Sequence, residues 1–233
     1  GIKHYIPTLN KNAESMNARY FLSFLLFTAS LSQLSGQDSC EGNFGENIFE
    51  AGDFGSGTAN FLPFDPNIAP GYLYSTTPPP GDGFYTITNN TAIWNNLFPT
   101  WLGIRDNSPD PNGYMMVVNA SFDEGVFYEQ QVDGLCENTL YEFSADVINL
   151  IRQSVLDHIR PDVSFLIDGE VRYTTGSLPQ SEEWETYGFT FTTEPGQTAV
   201  TLTLRNNAPG GIGNDLALDN IAFRPCGPEA FIL

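Results

Sequence analysis

The chain is 233 residues long and strongly acidic, with 28 Asp and Glu against nine Lys and Arg and a net charge of −19. A surface of that sign repels nucleic-acid phosphates and anionic headgroups, which argues against both as partners, while it attracts cations such as calcium. Two histidines and three cysteines without a CxxC spacing give no basis for a zinc centre.

Met16 is the natural start, so residues 1–15 read as upstream translated sequence or an added leader. Arg19, an apolar stretch over residues 20–31 and a small polar exit at Ser35, Gly36 and Gln37 form the pattern of a secretory signal peptide, which assigns residues 16–37. The apolar run is shorter than the ~20 residues a membrane-spanning helix needs, and no positive cluster follows it. Cleavage and secretion are therefore expected, without membrane insertion. Residues 38–233 keep six arginines, no lysine and 27 acidic residues, a balance of −21, and provide enough chain for one domain with its own core.

Residues 61–101 are rich in Pro, Asn, Thr and aromatics and read as long loops with short strands among them. Loops on a rigid scaffold are where binding residues concentrate, and flat rings stack on sugar rings. Tyr72, Tyr74, Tyr85, Trp94 and Trp101 are accordingly the candidate carbohydrate-binding residues, each with core packing as its competing reading. The segment 106–113, Asp-Asn-Ser-Pro-Asp-Pro-Asn-Gly, offers alternate oxygens but lacks the glycine spacing and final glutamate of an EF-hand loop, and reads as a turn.

After residue 80 period-2 alternation dominates, the sign of strands half buried against a core. Tyr141, Phe143, Ala145 and Val147 alternate with Glu142, Ser144 and Asp146; similar runs follow at 163–167, 189–191, 200–204 and 216–223. Turn clusters of Gly, Pro, Asp and Asn separate them, and only residues 147–158 have room for a helical turn or two. This is an all-β pattern, a two-sheet sandwich or jelly roll.

In an oxidising compartment one disulfide is expected. Cys136 and Cys226 both sit at strand ends and are the predicted pair, with Cys40–Cys226 the close rival. Catalytic signals are weak: His158 has no nucleophile elbow to serve, and no carboxylate pair stands out among so many acids. For a hard cation, Asp53, Asp215 and Asp219 are candidate ligands if the first and last strands meet.

Several stretches together resemble a known family. Residues 46–57, Glu-Asn-Ile-Phe-Glu-Ala-Gly-Asp-Phe-Gly-Ser-Gly, are similar to the opening strand of galactose-binding-like jelly rolls, and residues 113–120, 140–145 and 213–223 match later landmarks in order. The combination resembles the carbohydrate-binding-module-like domains of large Bacteroidetes surface proteins, among them gliding-motility-associated adhesins exported by the type IX pathway. The resemblance implies a galactose-binding-like jelly roll over residues 38–233 whose first and last strands lie side by side. It also implies a structural Ca2+ ion held by Asp219 and backbone oxygens of the opening strand, beside which Asp53 is the further candidate, although Gly55 stands where the family has a glutamate. The expected function is that of a non-catalytic carbohydrate-binding or adhesive module of a secreted cell-surface protein. Its partners would be a glycan or cell-surface polysaccharide and further domains of the same chain. The alternatives are a structural module without a ligand and a jelly-roll glycoside hydrolase.

Overall fold

The computed structural model describes Cys40, residues 42–49 and residues 52–227; the leader and signal-peptide assignments over residues 1–37 lie outside the described residues. The strands are β1 (Asn43–Phe44), β2 (Leu73–Tyr74), β3 (Phe84–Thr88), β4 (Met115–Asn119), β5 (Gly125–Asp133), β6 (Leu140–Asn149), β7 (Asp162–Ile167), β8 (Glu170–Ser177), β9 (Glu185–Thr192), β10 (Ala199–Asn206) and β11 (Leu216–Gly227). The helical turn allowed by the sequence at 147–158 does not form: β6 runs to Asn149 and turns follow. A single 3-10 turn sits instead at Ala92–Trp94.

The strands form a two-sheet jelly-roll sandwich. One sheet has seven strands in the order β2-β3-β4-β11-β6-β9, with β1 also on β11; the other has four in the order β5-β10-β7-β8. Among the strand pairs of the described residues only β2–β3 is parallel. The opening and closing strands do meet, Asn43 facing Gly227 and Phe44 facing Cys226.

Between the sheets lies the main core. Phe143 and Phe223 from the large sheet, with Ile87, Met116 and Leu218, face Phe127, Phe165, Leu202 and Leu204 from the small one. The alternation read from the sequence selects these inward residues. It fails on the other face of β4 and β6, where every residue of β4 is buried and nine of ten in β6. The cause is a second apolar cluster outside the large sheet: Met115, Val117, Ile148 and Ala217 are covered by Trp94, Trp101 and Leu102. The 89–112 segment thus acts as a third layer, and strands buried on both faces lose their polar phase. Burying one such side chain contributes about 1.5–3 kcal/mol, so this covering layer is a substantial part of the fold. Asn89 and Asn119, which match glycosylation acceptor patterns, are buried there, their amides donating to Ala59 and Pro80 carbonyls.

The disulfide pairing departs from the sequence reading. Cys226 bonds Cys40, with Cα atoms 5.8 Å apart, and Cys136 is an exposed free thiol. The Cys136–Cys226 choice fails because β6 lies between β11 and β9. The turn carrying Cys136 hydrogen-bonds on the β9 side, where Thr193 Oγ1 donates to the Cys136 carbonyl. Cys226 ends β11 beside β1, close to Cys40. The bridge closes a loop across a sequence separation of 186 residues. Loop-closure entropy for a span of that size is about 5 kcal/mol, an upper value. Cys40→Ser is expected to lower the unfolding free energy by roughly 2–5 kcal/mol in urea titrations. Cys136→Ser is expected to stay within roughly 0.5 kcal/mol of wild type, and a comparable loss in Cys136→Ser would contradict the pairing.

Candidate functional site

β3 begins, β4 and β6 end, and β11 begins at the same end of the large sheet, as the pairings Phe84–Asn119 and Leu216–Asn149 require. The connections gathered there enclose a cleft of about 410 Å³, within the size range of ligand sites. Asp82, Phe98, Trp101, Phe122, Ile151 and Asp215 line it, with the glycine-rich segment 211–213 along one side.

Each wall has a local cause. Residues 100–102 run beside the extension of β6, with Leu102 N–H donating to the Leu150 carbonyl at 2.7 Å and Arg152 N–H to that of Thr100 at 2.8 Å. That pairing places the Trp101 ring over the sheet end, and Phe98 stacks on it at 4.5 Å and 34°. Trp101 Nε1–H donates to Asp215 Oδ2 at 3.0 Å and the Ala120 N–H to Oδ1 at 3.1 Å. Gly210 N–H donates to the Phe122 carbonyl, and the approach is so close that a Cβ on Gly210 would lie 2.1 Å from Phe122 Cα. The Phe122 ring itself stands 71% exposed. Burial pushes the Asp215 carboxyl up to about 7; its two N–H donors pull it back and the Asp82 charge adds to the rise.

Of the five ring residues singled out in the sequence, Trp101 alone lines this cleft, and it is only 3% exposed. Trp94 is buried behind it in the outer cluster. Tyr72 and Tyr85 belong to the core between the sheets, and Tyr74 packs half-buried against that core. Tyr85 hydroxyl donates to Asp65 and Tyr74 hydroxyl to the Leu62 carbonyl at 2.6 Å, so their polar ends are satisfied by the loop that covers them. The rings open to the cleft are Phe98 and Phe122, and its carboxylates are Asp82 and Asp215. Asp82 sits in a Gly-Asp-Gly turn, a pattern that marks turns generally and carries no ligand signal.

A second cavity, about 390 Å³ and polar, lies where the opening segment crosses β11; Asn47, Asp53, Asn220 and Arg224 are among its lining. Asp53 is there, but Asp219 is not. Asp219 points to the outer face, fully buried opposite Asp146, its oxygens accepting the Asn107 N–H at 2.6 Å and the Asn220 N–H at 2.7 Å. Asn107 and Asn220 side-chain amides both donate to Asp146 Oδ2, bridging the two carboxylates. Carbonyls of the two strands are also engaged, Gly52 accepting from Ile221 N–H and Ile221 from the Asn47 amide. Among the described residues no three His, Cys, Asp or Glu side chains form a metal-holding group, and the Arg224 guanidinium in the cavity opposes a cation. As arranged, Asp53 and Asp219 do not fit one calcium ion.

The sequence matches no protein-family model and no curated protein. Among solved structures, it is similar to the Stig cyclase Fisc from Fischerella sp. TAU, in complex with (3Z)-3-(1-methyl-2-pyrrolidinylidene)-3H-indole. The likeness has TM-score 0.53 and 13% identity and covers 81% of this chain and 100% of that one. It shows a common fold. Weaker likenesses are to the EclA C-terminal domain, a sugar-binding protein (TM-score 0.35, 18% identity, 46% of this chain and 80% of that). Another is to TmCBM61 in complex with β-1,4-galactotriose (0.34, 10%, 60% and 80%).

Asp215 and Asp219 both stand at about 7, burial being the main cause in each, against an ordinary value of 3.8. An acid whose folded value lies above its unfolded value destabilises the fold progressively as pH rises from the lower value to the higher. Stability is therefore expected to decline between about pH 4 and pH 7 and to flatten above it on account of these two groups. Carbon-13 titration of the aspartate carboxyls is expected to show two transitions near pH 7 that vanish with Asp215→Asn and Asp219→Asn; a spectrum with every transition below pH 5 would contradict the burial argument.

Proposed function

We propose that the protein is a non-catalytic carbohydrate-binding module of a secreted cell-surface protein, and that the cleft at the end of the large sheet is its glycan site. One observation carries this reading: an exposed ring, Phe122, and a half-buried one, Phe98, share a ligand-sized cleft with hydrogen-bonding carboxylates, Asp82 and Asp215. Rings stack on the apolar faces of a sugar while oxygens accept from its hydroxyls. The Cys40–Cys226 bridge supports the secreted part, since such bonds persist in oxidising compartments. Attachment to further domains of the same chain, in an adhesin, belongs to the same proposal.

A second reading, glycoside hydrolysis, has its own support. Asp82 and Asp215 share the cleft, and burial holds Asp215 near neutrality as a general acid requires while Asp82 is exposed. The spacer reading is supported by the burial of Tyr72, Tyr85, Trp94 and Trp101, which leaves the expected ring platform unformed.

Calorimetric titration of oligosaccharides separates the three. Wild type is expected to bind without releasing reducing ends. Phe122→Ala, a change at an exposed side chain, is expected to weaken binding about tenfold, a stacking contribution of about 1.4 kcal/mol. Absence of binding to any glycan would favour the spacer, and reducing-end release that disappears in Asp215→Asn the hydrolase. The structural calcium proposed from the resemblance requires Asp219 to exchange its two backbone N–H partners for the metal. Thermal melting with calcium and with chelator tests it: the midpoint rises in wild type and not in Asp219→Ala if the ion binds there, and an unresponsive wild type removes it.

A further inference from the structure

The charge of the end cleft narrows the class of sugar that fits it, an inference that rests on the carbohydrate-binding reading above. Asp82 is exposed at the rim, Asp215 is buried at the base, and no lysine or arginine is among the lining residues. Of the two arginine ion pairs among the described residues, Arg172–Glu170 lies on β8 and Arg224–Glu142 at the ends of β11 and β6 away from the cleft. Asp215 is held by two neutral donors, the Trp101 indole N–H and the Ala120 amide, so it has hydrogen-bond partners but no ion-pair partner among the described residues. Asp82 is close enough to act on it electrostatically. Beside this pair stand the rings of Phe98 and Phe122, with Trp101 backing Phe98 at 4.5 Å. An aromatic face attracts a cation through its quadrupole, and a carboxylate attracts it directly, more strongly as water is excluded. The combination of aromatic wall and uncompensated carboxylates is suited to an ammonium group attached to a ring.

We propose that the cleft takes a cationic glycan, an oligosaccharide of 2-amino sugars with free amino groups, its ammonium between Asp82 and Asp215 and its ring face against Phe98 and Phe122. A neutral sugar stacks on the same rings without the charge term. A uronate or sulfated sugar brings a negative charge to a cleft lined by Asp82 and Asp215 and by no cationic side chain, in a domain whose balance is −21 from residue 38 onward, and is rejected.

The test uses the full chain and three matched oligosaccharide sets at pH 7: glucosamine oligomers, their N-acetylated counterparts and oligogalacturonates. Glucosamine oligomers are expected to bind about fivefold or more tighter than the acetylated set, a charge contribution of about 1 kcal/mol, and oligogalacturonates not to bind. Asp82→Asn, at an exposed side chain, is expected to abolish the preference, bringing glucosamine oligomers down to the affinity that the same variant has for the acetylated set. Glu46→Gln, at an exposed acid outside the cleft, is the control for general attraction of polycations to an acidic protein. Equal binding of free and acetylated oligomers, binding of oligogalacturonates, or an equal loss in Asp82→Asn and Glu46→Gln overturns the cationic preference while leaving the carbohydrate reading in place. Equal competition by spermidine overturns the sugar component of the inference. Silence of all three oligosaccharide sets overturns the carbohydrate reading itself.

Discussion

The pairing of β11 is the interaction on which the rest of the molecule depends. This one strand bonds β6 along most of its length, β4 at its start and β1 at its end, and so joins the opening of the chain to the middle of the large sheet. It also feeds both apolar clusters, Leu218, Ile221 and Phe223 inward and Ala217 outward. A register shift between Asp219 and Ala222, with Asn220 at φ 47°, returns Ile221 to the inward face and bends the strand where the opening segment crosses it. Gly52 allows that crossing, because a Cβ there would lie 1.9 Å from the Ile221 carbonyl oxygen. Cys226 then ties the strand's far end to Cys40.

The covering layer built from residues 89–112 has consequences in two directions. It removes water from the outer face of β4, β6 and β11, so that Asp146 and Asp219, which alternation alone places in solvent, are buried. Their charges are then carried by hydrogen bonds rather than by cations, Asn107 and Asn220 holding the Asp146–Asp219 pair. Burial raises the Asp219 carboxyl toward neutrality, and the nearby charges of Asp106 and Asp146 add to the rise. At its edge the same layer stops short of the sheet end, and the space between Phe98, Trp101 and the loops of β3, β4 and β11 is the cleft. Shielding and site are thus two results of one segment folding back over a sheet.

Specificity in such a place follows from what the layer leaves uncompensated. The Trp101 indole is satisfied by Asp215 and is almost closed off, which makes it a support for the carboxylate rather than a platform for a ligand. Phe122 and Phe98 are the rings that remain available. Neither lysine nor arginine is among the residues that line the cleft beside Asp82 and Asp215.

What the sequence by itself determined is the all-β sandwich and the inward residues of β6, β7, β10 and β11, while the meeting of first and last strands was what the family resemblance implied. Period-2 alternation and turn residues are local signals, and residues such as Phe143, Phe165 and Leu202 declare a face through their neighbours two positions away. Tertiary structure decided the rest. Tyr72, Tyr85 and Trp94 look the same in a sequence whether they meet a ligand or a loop, and burial depends on which distant segment covers them. Cys136 and Cys40 are equally plausible partners along the chain, and only the side of β6 on which each lies separates them. Asp82 and Asp215 are 133 positions apart, in turns that have no pattern in common. Their convergence is a property of strand order, which fixes the ends of β3, β4, β6 and β11 together, and no local spacing encodes it.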